Sequence, residues 1–215
     1  MCSLQVKPIP LPNLVSQPLS YIERLDLNQL FTPGKPLEVE LGAGDGSFLV
    51  QWAALNPDRN FLGVERLLGR LRKINRKAAR LQLKNVRLLR IEAAYFLEYM
   101  LPPASVSALH VYFPDPWPKR KQQKNRLINA PFVQAAAKAL VPGGLIYLRT
   151  DDPDYFQQMQ SVFAAHRSFQ ASKTPAELQR IITDFERGFR ARGVQTFQAA
   201  FQNSGEFTSL PDSKN

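Results

Sequence analysis

Cysteine, histidine and long apolar runs are scarce in this sequence, and each scarcity argues against a class of protein. Cys2 is the only cysteine in 215 residues, so a disulfide framework of the kind found in exported proteins is absent. His110 and His166 are the only histidines, which gives a zinc site or a Ser-His-Asp hydrolase little support. No apolar run reaches membrane-spanning length, and the N-terminus lacks a signal-peptide pattern. We therefore expect a cytoplasmic protein with no metal and no membrane partner.

Acidic residues are also few in the parts of the chain where basic residues are many. The chain has 28 Lys and Arg against 18 Asp and Glu, a formal net charge of +10. Residues 66–90 hold ten basic residues and no acid, and residues 119–126 hold five more. Such clustering indicates a polyanionic partner, and nucleic acid is favoured. An anionic membrane fits less well, because residues 66–84 lack the apolar, aromatic face of an interfacial helix.

Strand-like and helix-like segments alternate from residue 37 onward. Short apolar runs predict strands, and apolar periods of three or four residues predict helices. The predicted strands are 37–41, 60–65, 85–91, 108–113 and 145–150, and the predicted helices lie at about 47–56, 66–84, 94–101, 126–140 and 154–166. This alternation predicts an α/β fold, a doubly wound and mostly parallel sheet with helices on both faces.

Two flanking regions differ from this alternating core. Residues 1–36 hold six prolines and one short helical pattern at 20–30, so we expect an arm that packs over the domain. Residues 196–201 have the pattern of a last edge strand, and the polar residues 203–215 predict a disordered tail. The domain between arm and tail is assigned to residues 37–202.

Five acidic residues stand where the predicted strands end. In a parallel sheet the carboxyl ends of the strands share one edge, and ligands bind there. Because the chain has only 18 Asp and Glu, chance placement would rarely put an acid at every one of these positions. The five are Glu40, Glu65, Glu92, Asp115 and Asp151. We therefore predict that the ligand site lies at this edge.

A Gly-rich turn, Glu-Leu-Gly-Ala-Gly-Asp-Gly at residues 40–46, follows the first predicted strand. Gly42 and Gly44 let the backbone approach a ligand closely. The motif departs from the dinucleotide pattern because its third glycine comes one residue early, and it lacks the Lys-Ser/Thr of a P-loop. Glu40 and Asp45 would repel pyrophosphate and attract an ammonium or sulfonium group. S-adenosylmethionine fits these demands, while a nicotinamide fold and a turn without ligand stay as alternatives.

Two further acids suit the rest of this ligand. Glu65 comes about twenty residues after the turn, where a carboxylate can accept hydrogen bonds from both ribose hydroxyls. Glu92 ends the third predicted strand and can accept a hydrogen bond from the exocyclic amine of adenine. The alternative for Glu92 is a solvated acid at a strand end.

The motif Phe-Pro-Asp-Pro-Trp-Pro-Lys at residues 113–119 places Asp115 between two prolines. Proline fixes its own φ and restricts the residue before it, so this carboxylate has little conformational freedom. A rigid acid beside an aromatic ring suits a flat heterocycle, and the basic residues from Lys119 onward suit a phosphate backbone. The alternative is a proline-rich turn that leads into a solvated helix. Trp117 has two interpretations, a support for a flipped base or core packing under the turn.

Together these residues resemble the bacterial tRNA (guanine-N7)-methyltransferase family over about residues 36–201. The Gly-rich motif is shared by many methyltransferases, whereas the 113–119 block followed by Thr-Asp-Phe-Glu at 183–186 is highly specific. Phe-Leu-Gly-Val-Glu at 61–65 and Thr-Asp at 150–151 also match. The resemblance implies a Rossmann-like, seven-stranded sheet with an antiparallel edge strand. It also implies methyl transfer from S-adenosylmethionine to N7 of guanine 46 in the tRNA variable loop, with S-adenosylhomocysteine as product.

The resemblance further implies a role for individual residues. Asp115 is the implied catalytic residue. The implied cofactor contacts are Glu40, Gly42, Gly44, Glu65, Glu92 and Asp115. The implied substrate contacts are Lys119, Asp151, Thr183, Asp184, Phe185 and Glu186, and the implied RNA contacts are Lys121, Lys124 and Arg126. The implied partner is tRNA, and we expect a monomer or a homodimer.

Four positions depart from the family pattern, and two rival functions stay open. Glu92 stands in place of Asp or Asn, Gln122 in place of His, Asn125 in place of Arg, and Asp184 in place of Lys. The first rival is a methyltransferase of this fold that acts on another RNA, a small molecule or a protein amine. Such amino-group enzymes often carry Asn where Asp115 stands. The second rival is a non-catalytic RNA-binding module, against which the intact acids and glycines argue.

Overall fold

The alternation of strands and helices in the sequence produces one twisted sheet between two helical layers. The computed structural model describes residues 12–205. Within them, eight strands pair in the order β1-β4-β3-β2-β5-β6-β8-β7. The strands are β1 (Val15–Ser16), β2 (Leu37–Leu41), β3 (Asn60–Val64), β4 (Val86–Leu89), β5 (Val106–Tyr112), β6 (Leu140–Thr150), β7 (Phe169–Ser172) and β8 (Phe197–Asn203). All pairings are parallel except those of β8, which confirms the predicted fold class.

The helices cover both faces of the sheet. They are α1 (Leu49–Leu55), α2 (Leu68–Arg80), α3 (Ala93–Tyr95), α4 (Ala130–Ala139), α5 (Pro153–Ala164), α6 (Ala176–Arg180) and α7 (Asp184–Ala191), with a π-helix at Phe96–Met100 and 3-10 helices at Leu27–Gln29 and Arg120–Asn125. Helices α1, α2 and α6 bury their apolar residues on one face, and α4, α5 and the π-helix bury theirs on the other. No helix among residues 12–205 is long and apolar enough to cross a membrane.

Helix α2 shows how the sequence period becomes packing. Leu71, Ile74 and Ala78 recur every three or four residues and are fully buried against the sheet. The basic residues between them point away from the core, so the helix is amphipathic as predicted. No acid lies in its first turn, although an acid there would favour the helix dipole.

The helix predicted at residues 20–30 is wrong. The structure has only the one-turn 3-10 helix Leu27–Gln29, with Asp26 as its N-cap. The Ser20 hydroxyl accepts hydrogen bonds from two following backbone N–H groups, which favours a turn over a helix. Leu25 is buried, but Ile22, three residues before it, is 85% exposed, so the segment does not bury the apolar stripe that a helix at 20–30 would present.

The order of the strands near one edge also differs from the prediction. The segment predicted at 196–201 does form a strand, β8, but it lies one place in from the edge. The outermost strand is β7, which the prediction missed because four residues with one buried side chain carry little period. At the opposite edge, β1 pairs with β4 and brings the sheet to eight strands within the described residues.

The described part of the N-terminal arm packs on the domain. Leu14, Leu25 and Phe31 are buried in the two hydrophobic clusters, and the backbone N–H of Leu14 donates to Asn75 Oδ1. Residues 1–11 of the arm and 206–215 of the predicted tail lie outside the described residues. Asn203 is the last residue of β8 and is buried, so the strand extends one residue beyond the predicted domain limit.

Candidate active site

The Gly-rich turn leaves β2 with its backbone in conformations that glycine favours. Gly42 has φ +79°, and its N–H donates to the Val64 carbonyl of β3 at 2.9 Å. A Cβ added at Gly42 would have no atom within 4 Å, so the turn faces open space there. A Cβ at Gly46 would lie 2.8 Å from the Ile74 side chain, which explains the third glycine by the close approach of α2. The sequence motif therefore serves both a ligand and the packing of a helix.

A cavity of about 430 Å³ opens beside this turn, at the carboxyl ends of β2, β3, β4 and β5. Four of the predicted cofactor-binding residues line it, namely Gly42, Glu65, Glu92 and Asp115. The cavity also has apolar walls from Leu41, Val64, Ile91 and Leu127. Glu40, Gly44 and the predicted substrate-binding residues are not in its lining. A concave site at the carboxyl ends of parallel strands, with apolar walls and convergent polar groups, is typical of a ligand site.

Glu65 and Glu92 are held in place by backbone amides. Glu65 accepts hydrogen bonds from the N–H groups of Gly44 and Leu67, at 3.0 and 2.8 Å. Glu92 caps α3 and accepts from the N–H groups of Ala94 and Tyr95. Each carboxylate oxygen has a second lone pair, so both residues can still accept hydrogen bonds from a ligand. The amides orient the two carboxylates toward the cavity that they line.

Glu40 carries a buried oxygen without a partner. The residue is 4% exposed, and Oε2 makes no hydrogen bond within residues 12–205. Burial, together with the nearby charge of Asp45, raises the pKa of Glu40 well above its usual range. A buried acid with a free oxygen is unfavourable unless a cation or a donor arrives. The glycine turn, the amide-held acids and this free oxygen fit the cationic, phosphate-free S-adenosylmethionine that the sequence predicts.

We expect S-adenosylhomocysteine to bind more tightly as the pH rises, because its ammonium group needs the ionised form of Glu40. The raised pKa of Glu40 in the free protein means that binding releases a proton. Calorimetry in two buffers with different ionisation enthalpies measures this release. Glu40→Gln should weaken binding by roughly tenfold or more and remove the proton release, since a hydrogen bond to a charged group contributes about 1.5–3 kcal/mol.

The exposed Glu23 provides the matched control, because it lies outside the cavity lining. Glu23→Gln should leave both the affinity and the proton release as in the unaltered protein. If the Glu40→Gln variant still releases the proton on binding, another group titrates and the assignment of Glu40 is wrong.

The loop that carries Asp115 has a strained backbone on both sides of the acid. Phe113 has φ +52° and Trp117 has φ +44°, values at which side chains other than glycine cost about 1–3 kcal/mol each. Asp115 is exposed and lines the cavity, and Trp117 is half-buried on the same wall. Two prolines and two left-handed residues therefore fix the carboxylate at the mouth of the cavity.

The prediction that Arg126 contacts RNA is wrong in this structure, because Arg126 is 3% exposed. Its Nε donates to the Pro116 carbonyl at 2.7 Å, and its other nitrogens donate to Gln158 and Asp154 of α5. The guanidinium also lies 4.8 Å from the ring centroid of Tyr155. A buried arginine with this many partners stabilises the loop, and it offsets the backbone strain beside Asp115.

The other predicted RNA contacts differ from Arg126. Lys121 and Lys124 lie on the 3-10 helix Arg120–Asn125 and are exposed, and Lys119 is the exposed residue that precedes it. This helix follows the Asp115 loop directly and ends at the buried Arg126. The three lysines are therefore available to a polyanion at the edge of the cavity.

The fold brings residues 183–186 to the Gly-rich turn, 137 positions away in sequence. The backbone N–H of Asp184 donates to the Ser47 hydroxyl at 3.0 Å. Phe185 comes within 3.7 Å of the Cβ position of Gly44, and Thr183 is the N-cap of α7. Helix α7 also reaches the Asp115 loop, where the Phe113 and Phe189 rings lie 5.3 Å apart. The two most specific sequence motifs therefore meet above the turn.

Glu186 and Asp151 differ in how far they are free to contact a substrate. Glu186 is 4% exposed and pairs with Arg149 at 3.0 Å and Arg190 at 2.7 Å, so the predicted substrate contact would require one of these pairs to open. Asp151 follows β6, is half-buried, and makes no ion pair within residues 12–205. The Asp151 carboxylate is therefore free to make the predicted substrate contact.

Arg149 is a structural residue of the site that sequence reasoning missed. It is buried in β6, donates to the carbonyls of Leu178 and Ile181 at 2.6 Å, and lies 4.6 Å from the ring centroid of Tyr112. Together with the Glu186 pair, these bonds join the 178–186 segment to the sheet. A charged residue inside a mostly apolar strand is the sequence feature that could have predicted this role.

Buried polar side chains of β2 and β5 are joined by hydrogen bonds. His110 bonds Glu38 through Nε2 and the Tyr112 hydroxyl through Nδ1, both at 2.8 Å, so it is a satisfied core histidine. Burial raises the pKa of Glu38, but hydrogen bonds from His110, Arg59 and Trp52 outweigh it and lower the pKa to about 2. Within residues 12–205, no group of three or more His, Cys, Asp or Glu side chains could hold a metal ion.

Comparison with known proteins agrees with this geometry. Residues 34–199 match a family described as "Putative methyltransferase". Among solved structures, the 16S rRNA methyltransferase KamB superposes with a TM-score of 0.61 over 83% of this chain and 92% of that chain, at 17% identity. A 30S ribosomal A1408 methyltransferase from an uncultured bacterium gives 0.58 over 84% and 95%, at 16% identity. At such identities the superpositions establish the fold, and they confirm the methyltransferase-type sheet.

Curated relatives in sequence are closer. A tRNA (guanine-N(7)-)-methyltransferase of Thiobacillus denitrificans is 38% identical over 172 residues, which are 78% of this chain and 76% of the relative. The protein of the same name from Chromobacterium violaceum is 36% identical over 176 residues, 80% of this chain and 76% of the relative. The predicted resemblance is thereby confirmed, and the chain belongs to the tRNA (guanine-N(7)-)-methyltransferase family.

Proposed function

We propose that this protein transfers a methyl group from S-adenosylmethionine to N7 of a guanine in tRNA, at position 46 in the variable loop. The single observation that carries the proposal is Asp115, fixed at the mouth of a cavity suited to a cationic nucleoside and followed by exposed lysines. The names of the relatives support the same substrate. Because the proposed substrate is tRNA, we propose the cytoplasm as the location, and a monomer or homodimer stays a prediction.

Different residues at the site are proposed to contact different parts of the cofactor. When bound, S-adenosylmethionine supplies a methyl group activated by its sulfonium. Glu40 is proposed to hold the ammonium, because its free buried oxygen requires a cation or donor. Glu65 would accept from the ribose hydroxyls, and Glu92 from the adenine amine, each through the lone pairs that the backbone amides leave free.

Asp115 is proposed to stabilise the charge that develops on the base. Guanine N7 carries a free lone pair at neutral pH, so the chain needs no general base to expose it. The ring becomes cationic as its N7–C bond forms, and a fixed carboxylate beside the ring stabilises that charge more than it stabilises the neutral base. The remaining contribution is positioning, which can supply about 7–11 kcal/mol in an ideal geometry.

The proposed guanine contacts use acids because guanine offers donors. Its Watson–Crick edge presents N1–H and N2–H groups, which one carboxylate can accept together. Asp151 is better placed for this contact than Glu186, since both Glu186 oxygens are already in ion pairs. Trp117, half-buried on the cavity wall, is proposed to support a base flipped out of its stack. Lys119, Lys121 and Lys124 would contact the flanking phosphates.

The test is a transfer assay on unmodified bulk tRNA. The protein is incubated with S-adenosylmethionine labelled in the methyl group, the tRNA is digested to nucleosides, and the labelled nucleoside is identified. We expect the label in N7-methylguanosine. Label in another nucleoside would favour the rival of another RNA methylation, and absence of transfer would favour a non-catalytic binding module.

A further inference from the structure

The outer face of α2 carries basic side chains that the fold itself leaves without a counter-charge. Arg72, Lys73, Arg76 and Arg80 are all exposed on this helix. Within residues 12–205 none of the four makes an ion pair, whereas Arg70 and Lys77 pair with Glu65 and with Asp45. Arg72, Arg76 and Arg80 recur at i, i+4 and i+8, so they form one stripe along the helix. We call Arg72, Arg76 and Arg80 the α2 stripe.

The fold does not account for this stripe. Like charges spaced four residues apart destabilise a helix, and no acid in the first turn offsets them. Arg66, just before α2, and Arg70, inside it, line the cavity, whereas the three arginines of the stripe do not. An anionic partner from outside the chain would offset the repulsion within the stripe.

A membrane surface does not fit the stripe as this partner. The apolar residues of α2, Leu71, Ile74 and Ala78, are fully buried against the sheet and are not available for insertion into lipid. Leu67 and Leu81 are exposed at the two ends of the helix, but the exposed side chains between them are basic and are spread along about 20 Å. A phosphate backbone is the partner that such a surface binds.

The position of α2 connects the stripe to the proposed active site. Lys77 lies 2.5 Å from Asp45 of the Gly-rich turn and 3.8 Å from Asp184, the first residue of α7. The basic helix therefore adjoins the 183–186 segment that is predicted to contact substrate. Asp184, which stands where the resemblance predicts Lys, pairs with Arg187 of α7 and also lies within 3.8 Å of Lys77.

We infer that the α2 stripe is a second tRNA-binding surface, which holds the phosphate backbone away from the target guanine while the Lys119–Lys124 tract holds it near the cavity. The inference rests on the proposed function, since it takes tRNA as the polyanion. It assigns the surface to affinity alone and gives it no part in the methyl transfer step.

The test compares two triple variants of the full chain with equal loss of charge. The first is Arg72→Gln, Arg76→Gln and Arg80→Gln, since glutamine keeps nearly the helix propensity of arginine. The control is Lys35→Gln, Lys138→Gln and Arg167→Gln, three exposed residues outside α2. They closely precede β2, β6 and β7 and so lie at the amino ends of these strands, whereas the cavity opens at the carboxyl ends. The dissociation constant for unmodified tRNA is measured at several salt concentrations for each.

The stripe variant should bind tRNA about tenfold or more weakly near physiological salt, with a log-log salt slope shallower by about 2–3, as lost phosphate contacts predict. Its kcat at saturating tRNA and its S-adenosylhomocysteine affinity should stay within about twofold, which also shows that it folds. An equal loss in the control would overturn the inference, because net charge alone would then explain binding. An unchanged slope in the stripe variant would overturn it as well.

Wild-type transfer measured in parallel separates this inference from the proposed function. If the wild-type protein methylates tRNA and the stripe variant keeps its salt slope, only the inference fails. If the wild-type protein transfers no methyl group to tRNA, the proposed function fails whatever the binding data show.

Discussion

Replacing Asp115 with alanine is expected to lower kcat for methyl transfer by about 100- to 1000-fold, the range seen when one preorganised electrostatic group is removed. The loop around the acid is fixed by two prolines and by left-handed residues at Phe113 and Trp117, so truncation of an exposed side chain should leave the backbone in place. Affinity for S-adenosylhomocysteine should therefore change by less than roughly tenfold. Single-turnover kinetics and calorimetry measure the two quantities separately.

Asp115→Asn is the matched variant for this experiment, because it keeps the shape and removes the charge. If stabilisation of a cationic ring is the role of Asp115, the asparagine variant should be nearly as slow as the alanine variant. Near-normal turnover in either variant would show that positioning by other residues suffices and that the assignment of Asp115 is wrong.

Replacing Arg126 with lysine is expected to lower kcat by about 10- to 100-fold although the positive charge is kept. The guanidinium bonds the Pro116 carbonyl, Gln158 and Asp154 at once, and an ammonium cannot span these three directions. Loss of the Pro116 bond would loosen the loop next to Asp115, and a misplacement of about 1 Å can cost about 100-fold in rate. The KM for tRNA should change little, because Arg126 is buried and its guanidinium is already bonded within the protein.

Arg24→Lys is the control for this prediction. Like Arg126, Arg24 donates hydrogen bonds to the backbone, here to the carbonyls of Glu98 and Leu101, but it lies outside the Asp115 loop. The Arg24→Lys variant should keep kcat within about twofold of the wild-type value. A large rise in KM for tRNA in the Arg126→Lys variant, with kcat unchanged, would restore the RNA contact that burial argues against.

The sequence predicts the elements whose pattern is dictated by burial. The strands at 37–41 and 60–65 are buried along their whole length because both faces of a parallel strand are covered, even though 37–41 includes Glu38 and Glu40. The period of α2 reflects its one buried stripe. The strand-end acids are predictable for a related reason. Parallel topology places the ends of consecutive strands on one edge, so Glu65, Glu92 and Asp115 reach one cavity without any information on packing.

The roles of the buried arginines could not be predicted. Arg126 stands in a basic tract that looks solvated. Its partners are Pro116, ten residues earlier in the loop, and Asp154 and Gln158, 28 and 32 residues later on α5. Arg149 likewise depends on carbonyls of the 178–186 segment, whose place over the sheet no local pattern encodes. The strand order at the β7 edge could not be predicted for the same reason, because the pairing of strands depends on the tertiary structure.

The most direct test of the central proposal maps the methyl group on a defined tRNA. A transcript with guanine at position 46 and a second transcript with adenine there are incubated with the protein and S-adenosylmethionine, then cleaved chemically at N7-methylguanine. We predict scission at position 46 of the first transcript and none in the second. Scission at another guanine, equal scission in both transcripts, or no scission at all would contradict the proposal.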